Sequence, residues 1–459
     1  MNWDNFYFMN MAFFRRNIIE PLYYALNKRP LISYWKEIEP TQYLPERILR
    51  KYQWGRLKSI LDFVYVNNKF YRQRFDENGI CPGDIQTPED IALIPILTKN
   101  QIKEHTKEMI SEGYRIGDLM KFKTGGSTGK SLEFYLIEEC CELRNSCARR
   151  HDRWTGWEVG EPIAAVWGNP VLPVDLKSKL RAWLLDPKIY LDTMSISDSS
   201  VMQFAKSWKR VNPTLLYGHA HSIYILAEYV RRLEIDVIKP RGIISTSMML
   251  MPHERQIIED VFSIKVFDRY GCEEVSLIAV ECEQHQGMHL NIEHLYIEFV
   301  KEDGTYANPG EPGKIIVTDL MNYAMPFLRY QVEDIGVPMH GLCACGRGLP
   351  LMKEVVGRTA DFLIKKDGAR VAGISLIENT LTKIPGIRQM QIVQESLNRI
   401  ILNVVRGPEH TVATDQALEQ YFHDLFGRDT LIDLVPTAEI KPEPSGKYRF
   451  SICRVDQLS

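Results

Sequence analysis

The sequence carries no excess of positive charge. Over 459 residues, 56 Lys and Arg stand against 59 Asp and Glu, a formal net charge of −3. A protein that binds nucleic acid by neutralising phosphates needs the opposite balance, so nucleic acid is excluded as a partner class. A small acidic ligand, which needs only a local positive site, is not. Long hydrophobic runs are missing as well: none reaches the roughly 18 apolar residues of a membrane span. The opening stretch "MNWDNFYFMNMAFFRRNIIEPLYYALNKRP" lacks the basic start and small-residue cleavage site of a secretory leader. Nine cysteines, an odd number, then fit a reducing cytoplasm with thiols free or on a metal better than a disulfide framework. Internal repeats and low-complexity tracts are absent.

What is present is ordinary in bulk and specific in detail. Apolar residues make up 45% and charged residues 25%, the balance of a globular protein. The length exceeds one compact core, so two or three domains are expected. In the opening stretch, Phe6, Phe8, Phe13, Phe14, Ile18, Ile19, Leu22 and Tyr23 recur with Arg15 and Arg16 between them. This reads as a helix docked on the body of the protein, with weak association to a membrane surface as the other reading.

Residues 1 to about 110 read as mainly helical, from apolar positions returning every three or four residues. Strands and helices then alternate: "IAAVWGN" a strand, "SVMQFAKSWKRV" a helix, "TLLYGHA" a strand, "HSIYILAEYVRRLEI" a helix, "GIISTSM" a strand. From about 287 to 340 the pattern is strand-rich. A boundary falls near "VVGRTADFLIKKDG". The expected fold is α/β, with a large N-terminal domain (1–357) of mixed sheets, helices and a strand-rich subdomain. A small mobile α+β C-terminal domain (358–459) follows.

"TGGSTGKS", residues 124–131, comes close to a Walker A loop, but Thr124 stands where the first glycine belongs. The following "SLEFYLI" alternates with the two-residue period of a strand, whereas a Walker A loop must feed a helix. The loop therefore joins two strands. Gly125, Gly126 and Gly129 allow the backbone to turn N–H groups toward an anion, Thr124, Ser127 and Thr128 add hydroxyls, and Lys130 adds a charge. A polar surface turn has the same composition, so the eight residues alone do not decide.

Other segments follow in a set order. These are "DRYGCEE", "MPFLRYQVEDIG", "GRTADFLI" and "PSGKYRF". Together with the loop they resemble the motifs of the AMP-forming adenylating enzymes, in the branch of phenylacetate–CoA ligases and their relatives from capsular-polysaccharide clusters. The likeness runs over roughly residues 40 to 455. It implies ATP and Mg²⁺ as cofactors, a small carboxylic acid as substrate, and CoA or an amine as acceptor. By resemblance, residues 124–130 would hold the β- and γ-phosphates, Tyr270 would pack on adenine, and Glu274 would help hold Mg²⁺. Asp334 would take the ribose hydroxyls and Arg358 would approach the ribose or α-phosphate. Lys447 would stabilise charge as the acyl-adenylate forms, and Asp361 would be the hinge of a rotating lid. The acyl pocket would lie near "YGHAHS" and "WGNP", with His219 and His221 as polar candidates. A homodimer is compatible with the sequence.

Three positions depart from the family pattern. Glu273 stands where Ser or Thr is usual, Glu333 where Gly is usual, and Met249 where many relatives are acidic. Extra carboxylates beside a triphosphate repel it unless a cation offsets them. Two rival functions stand beside the ligase reading: adenylyl transfer to a hydroxyl, and a non-catalytic zinc-stapled scaffold, with which Glu273 and Glu333 are consistent.

"CACGRG" sets Cys343 and Cys345 one residue apart, while Cys282 lies upstream with His285 and His289. Three thiols and one imidazole suit tetrahedral structural Zn²⁺; a reduced or redox-active thiol pair is the plainer reading. Some phenylacetate–CoA-ligase-like enzymes resemble this spacing, which implies Cys282, His289, Cys343 and Cys345 as ligands, with His285 as the alternative to His289. Cys140, Cys141 and Cys147, on a helical run, are expected in the core.

Overall fold

A computed structural model describes residues 11–124, 132–168, 170, 172–356, 362–440 and 450–455. The chain opens with helices, the longest being Glu46–Asn67, which buries Leu49, Leu57, Ile60, Leu61 and Val64 on one stripe. Strands β1 (Met120–Lys123) and β2 (Glu133–Leu136) form an antiparallel ribbon. Next come β3 (Ile163–Trp167), β4 (Lys188–Asp192), β5 (Leu215–His219), β6 (Gly242–Thr246) and β7 (Val266–Cys272), alternating with helices. After them β8 (Ser276–Glu281), β9 (Met288–Leu290), β10 (Leu295–Val300), β11 (Gly313–Asp319), β12 (Tyr330–Met339) and β13 (Leu351–Val356) follow without an intervening helix.

Strands β3 to β13 make one sheet in the order β10-β11-β12-β13-β9-β8-β7-β6-β5-β3-β4. The half from β4 to β7 is parallel, as crossover helices require, and the half from β7 to β10 is antiparallel. From β3 the chain moves to one side to make β4 and then to the other to make β5. The carboxyl ends of such strands flank the crevice where α/β sheets take ligands. Trp167 and His219 occupy those two ends, their rings 4.0 Å apart. The helix Leu176–Leu185 and strand β4 between them escaped the sequence reading.

The small C-terminal α/β part contains β14 (Phe362–Ile364) paired with β15 (Arg370–Ala372). Its main sheet combines β16 (Ile387–Ser396), β17 (Arg399–Arg406), β18 (Leu431–Pro436) and β19 (Ser451–Cys453) in the order β18-β17-β16-β19. Helices Gly373–Lys383 and Val412–Phe426 fill its core with Leu376, Ile377, Leu418 and Phe422. Met194 and Met248 of the larger part pack against that core.

The N-terminal helix is docked, but by an inverted logic. Arg15 is buried and donates to the carbonyls of Gly160 and Trp183, whereas Phe13, Phe14, Ile18 and Leu22 are exposed. Residues 1–10, with Phe6 and Phe8, lie outside the described residues.

Candidate active site

Among the motif residues, Gly125, Gly126, Ser127, Thr128, Gly129, Lys130, Arg358, Asp361 and Lys447 lie outside the described residues, as does the side chain of Glu333. Those that remain converge. Thr124 closes the base of its loop: its N–H donates to Leu132 O (2.9 Å) and its Oγ1 accepts from Leu132 N–H (3.0 Å). The ribbon beneath is held by Phe134, which stacks on Phe122 and meets Phe327 at 6.1 Å. Phe327 in turn lies 5.5 Å from the Tyr330 ring. Asn322 adds a tie, donating to Tyr135 O at 2.9 Å.

Tyr330 carries the next link. Its hydroxyl donates to Glu274 Oε1 at 3.0 Å, and Lys99 Nζ reaches the same oxygen at 3.3 Å. Both Glu274 and Lys99 are buried. A desolvated carboxylate persists there because a cation and a hydroxyl both neutralise it. Glu274 lies in the tight return from β7 to β8, beside which Gly271 is required: a Cβ there would collide with the carbonyl of Ser276. Arg144, from the helix Glu138–Trp154, fixes this turn by donating to Glu274 O (2.8 Å) and to Asp319 Oδ2 (2.7 Å). The Tyr270 hydroxyl donates to Asp334 Oδ2 at 3.0 Å, joining β7 to β12 across the sheet. Neither Lys99 nor Arg144 is visible from sequence spacing. Tyr330 lies inside "FLRYQVED", one residue after the motif arginine.

That arginine, Arg329, faces away from the site. Its φ of 51° turns the side chain into the protein, where it pairs with Glu298 at 2.9 Å and donates to Ile94 O at 2.6 Å. It holds β12 to the helical region. The unusual Glu273 is kept protonated more readily than an ordinary glutamate, by burial and by the Glu274 charge, with Arg144 acting against both. Deeper along β7, burial and the neighbouring Glu281 push Asp268 up to about 7, while the Ser245 hydroxyl donates to its Oδ1 at 2.8 Å. His219 is buried and held neutral, its pKa lowered to about 4 by burial and by His221.

Cys282, His289, Cys343 and Cys345 form a second cluster, with all four ligand atoms within 4.8 Å of one another. Cys282 Sγ lies 3.5 Å from Cys343 Sγ, and Cys345 Sγ lies 3.3 Å from His289 Nε2. His289 Nδ1 bonds to the carbonyl of Leu349 at 3.1 Å, a contact that makes it the protonated nitrogen and leaves Nε2 as the donor atom toward the thiols. His285 lies outside this group, with Nδ1 3.3 Å from Glu281 Oε2. Burial works to raise the Cys345 thiol, but hydrogen bonds from Arg347 outweigh it and hold it below the ordinary value. Arg347 continues the cluster outward: it lies over Trp154 at 4.2 Å, donates to Gln42 Oε1 at 2.9 Å and pairs with Glu283 at 2.8 Å. Next to it, Gly348 presses on the backbone of Leu44 so closely that no side chain fits. The cluster thus joins the β8–β9 and β12–β13 loops to the N-terminal helices. Cys140, Cys141 and Cys147 are buried, as expected.

Residues 363–454 match the family model described as the CapK C-terminal domain. Protein CapK of Staphylococcus aureus is 22% identical over 404 residues, covering 86% of this chain and 87% of its own. The phenylacetate–coenzyme A ligase of Thermus thermophilus is 24% identical over 370 residues, covering 78% and 79%. At 22–24% identity over most of its length, the chain is similar to CapK and to the phenylacetate–coenzyme A ligases. Its fold is that of a solved CoA ligase. A solved 2-hydroxyisobutyryl-CoA ligase, in complex with 2-HIB-AMP and CoA in the thioesterification state, superposes with a TM-score of 0.62 at 17% identity, over 91% of this chain and 92% of that one.

Proposed function

We propose that this protein is an ATP-dependent, AMP-forming ligase that activates a small carboxylic acid as its acyl-adenylate and transfers the acyl group to CoA. The observation that carries the reading is the convergence of three separated motif segments through direct contacts: Phe327 on Phe134 beside the glycine loop, Tyr330 on Glu274, and Tyr270 on Asp334. Condensing a carboxylate with a triphosphate joins two anions, so most of the work is charge neutralisation and alignment.

In this reading Tyr270 supports the adenine, Asp334 accepts from the ribose hydroxyls, and the backbone and hydroxyls of 124–130 with Lys130 cradle the phosphates. Arg358 approaches the ribose or α-phosphate. Glu274 suits Mg²⁺ with one condition. The Tyr330 and Lys99 contacts both fall on Oε1, so an ion would share the carboxylate's charge with Lys99. The metal would neutralise phosphate oxygens and favour pyrophosphate departure. Residues 358–459 act as the lid, hinged at Asp361, and Lys447 enters from it to stabilise the adenylate-forming transition state. The acid sits between the glycine loop and the strand ends carrying Trp167 and His219. The Cys₃His set fits tetrahedral zinc, and its position between loops makes the role structural.

Pyrophosphate exchange into ATP, screened across a panel of carboxylic acids, tests the reading. Acid-dependent exchange with hydroxamate trapping is expected, followed by thioester formation with CoA. Amide formation with an amine but not CoA would reassign the acceptor alone. Exchange driven by a hydroxyl compound, with a stable AMP adduct, would replace this function by adenylyl transfer. Absence of both ATP binding and exchange would make the protein a scaffold.

A further inference from the structure

Two neighbouring helices turn their apolar sides outward. The backbone is helical over residues 11–26, and Phe14, Ile18, Leu22 and Leu26 are exposed by 46, 51, 57 and 73%. They recur every four residues. Such a stripe drifts around an α-helix, but the wider turn at Arg15–Ile19 slows the rotation and keeps the stripe on one face. The helix Leu176–Leu185 contains no buried residue at all, and exposes Leu176, Leu180 and Trp183 at the spacing of one helical face. The two helices lie side by side. Arg15 donates to the carbonyl of Trp183 at 2.9 Å, and Arg181 donates to the hydroxyl of Tyr23 at 2.6 Å.

Single exposed leucines need no explanation, but an apolar surface shared by two touching helices does. Its border is basic. Lys28, Lys177, Lys179 and Arg181 are exposed on the same elements. The acidic groups there are engaged: Asp175 caps the second helix through Ser178 N–H at 2.9 Å, Asp186 pairs with Lys188 at 2.7 Å, and Glu20 is buried against Arg149 at 2.8 Å. Arg16 is paired with Glu158. Apolar stripes bordered by lysines and arginines are the pattern of a helix lying in the headgroup layer. A two-fold contact with a second copy would set the same basic border against itself, whereas anionic headgroups neutralise it.

We infer that this two-helix face docks the protein on the surface of an anionic lipid bilayer. Insertion is peripheral: Phe14, Ile18, Leu22, Leu180 and Trp183 enter the boundary of headgroups and acyl chains while the lysines meet phosphates. No helix among the described residues is long and apolar enough to cross a membrane.

Cosedimentation of the full chain with phosphatidylcholine vesicles, with and without phosphatidylglycerol, tests this. Binding is expected to the anionic vesicles, weakened by salt. Neutralising the border in Lys177→Gln/Lys179→Gln/Arg181→Gln should lower partitioning by roughly a hundredfold, at about fivefold per cation. Ile18→Asp/Leu180→Asp should abolish it while leaving the thermal melt and pyrophosphate exchange unchanged. Failure to bind anionic vesicles at low salt would overturn the inference, as would binding that neither variant weakens. Sedimentation velocity decides for the other occupant: a dimer that Ile18→Asp/Leu180→Asp dissociates, without vesicle binding, would assign the face to a second copy.

Discussion

Arg144 is the residue whose loss should separate stability from activity. It is buried, and its guanidinium spans Asp319 Oδ2 at 2.7 Å, Glu274 O at 2.8 Å and Glu273 O at 3.4 Å. Arg144→Met keeps the packing of the stem and removes the charge. Asp319 is then left 1% exposed without its cation, although its Oδ1 still accepts from the N–H of Met321 at 2.9 Å and of Asn322 at 3.3 Å. Removing one partner of a buried pair costs about 3–5 kcal/mol. Asp319→Asn in that background removes the stranded charge and keeps the Oδ1 acceptor, so about 2 kcal/mol should return. The carbonyls of Glu273 and Glu274 remain without their donor, at about 1–3 kcal/mol.

The double-mutant cycle is measured by urea unfolding of the N-terminal part, followed by tryptophan fluorescence, alongside acid-dependent pyrophosphate exchange. The coupling energy should exceed about 1 kcal/mol, while exchange stays depressed in the double variant because the turn bearing Glu274 is no longer clamped. A single-variant loss below about 1 kcal/mol would show that Asp319 relaxes into water. Exchange restored together with stability would remove Arg144 from any role in positioning Glu274.

Asp334→Ala removes the partner of Tyr270 and the acceptor proposed for the ribose; the KM for ATP in the exchange assay should rise about 10- to 100-fold, and an unchanged KM would refute the ribose contact. Cys345→Ser should lower bound zinc, measured by plasma mass spectrometry, below the wild-type stoichiometry and reduce the melting temperature by several degrees; full metal retention would remove Cys345 from the ligand set. Asp268, raised to about 7, binds its proton more tightly in the folded than in the unfolded chain, so its contribution to stability is lost as pH rises from about 4 to about 7. Asp268→Asn should therefore gain relative stability between pH 4 and pH 8, by at most about 4 kcal/mol, and a pH-independent difference in urea midpoints would refute the shift. Lys447→Ala should lower adenylation at least about a hundredfold while thioester formation from supplied acyl-adenylate persists; full adenylation would refute its role.

Strand β3 and the alternation of helices and strands from 198 to 272 were legible because these inner parallel strands read as short apolar runs, whereas edge strand β4, exposed at Lys188 and Asp192, does not. The ribbon around residue 124 was legible from the period of two in "SLEFYLI". The helix Leu176–Leu185 was not, and the reason is physical: it buries no side chain in the core, so its apolar residues follow no inward face that a period could report. The site divides the same way. Tyr270, Glu274 and Asp334 sit in motifs whose order carries information, whereas Lys99 and Arg144 reach Glu274 and its turn from helices 130 or more residues upstream. Their partners are set by tertiary approach, which no local spacing encodes. The N-terminal helix shows where a pattern misleads. An amphipathic stripe predicts that the apolar side faces the protein, but Arg15 can satisfy two carbonyls at Gly160 and Trp183 that would otherwise need other partners. Phe13, Phe14, Ile18 and Leu22 are left outside while Arg15 is buried. The sequence pattern identified the helix correctly, but the buried contacts it makes run through Arg15 rather than through its apolar stripe, which periodicity alone does not report.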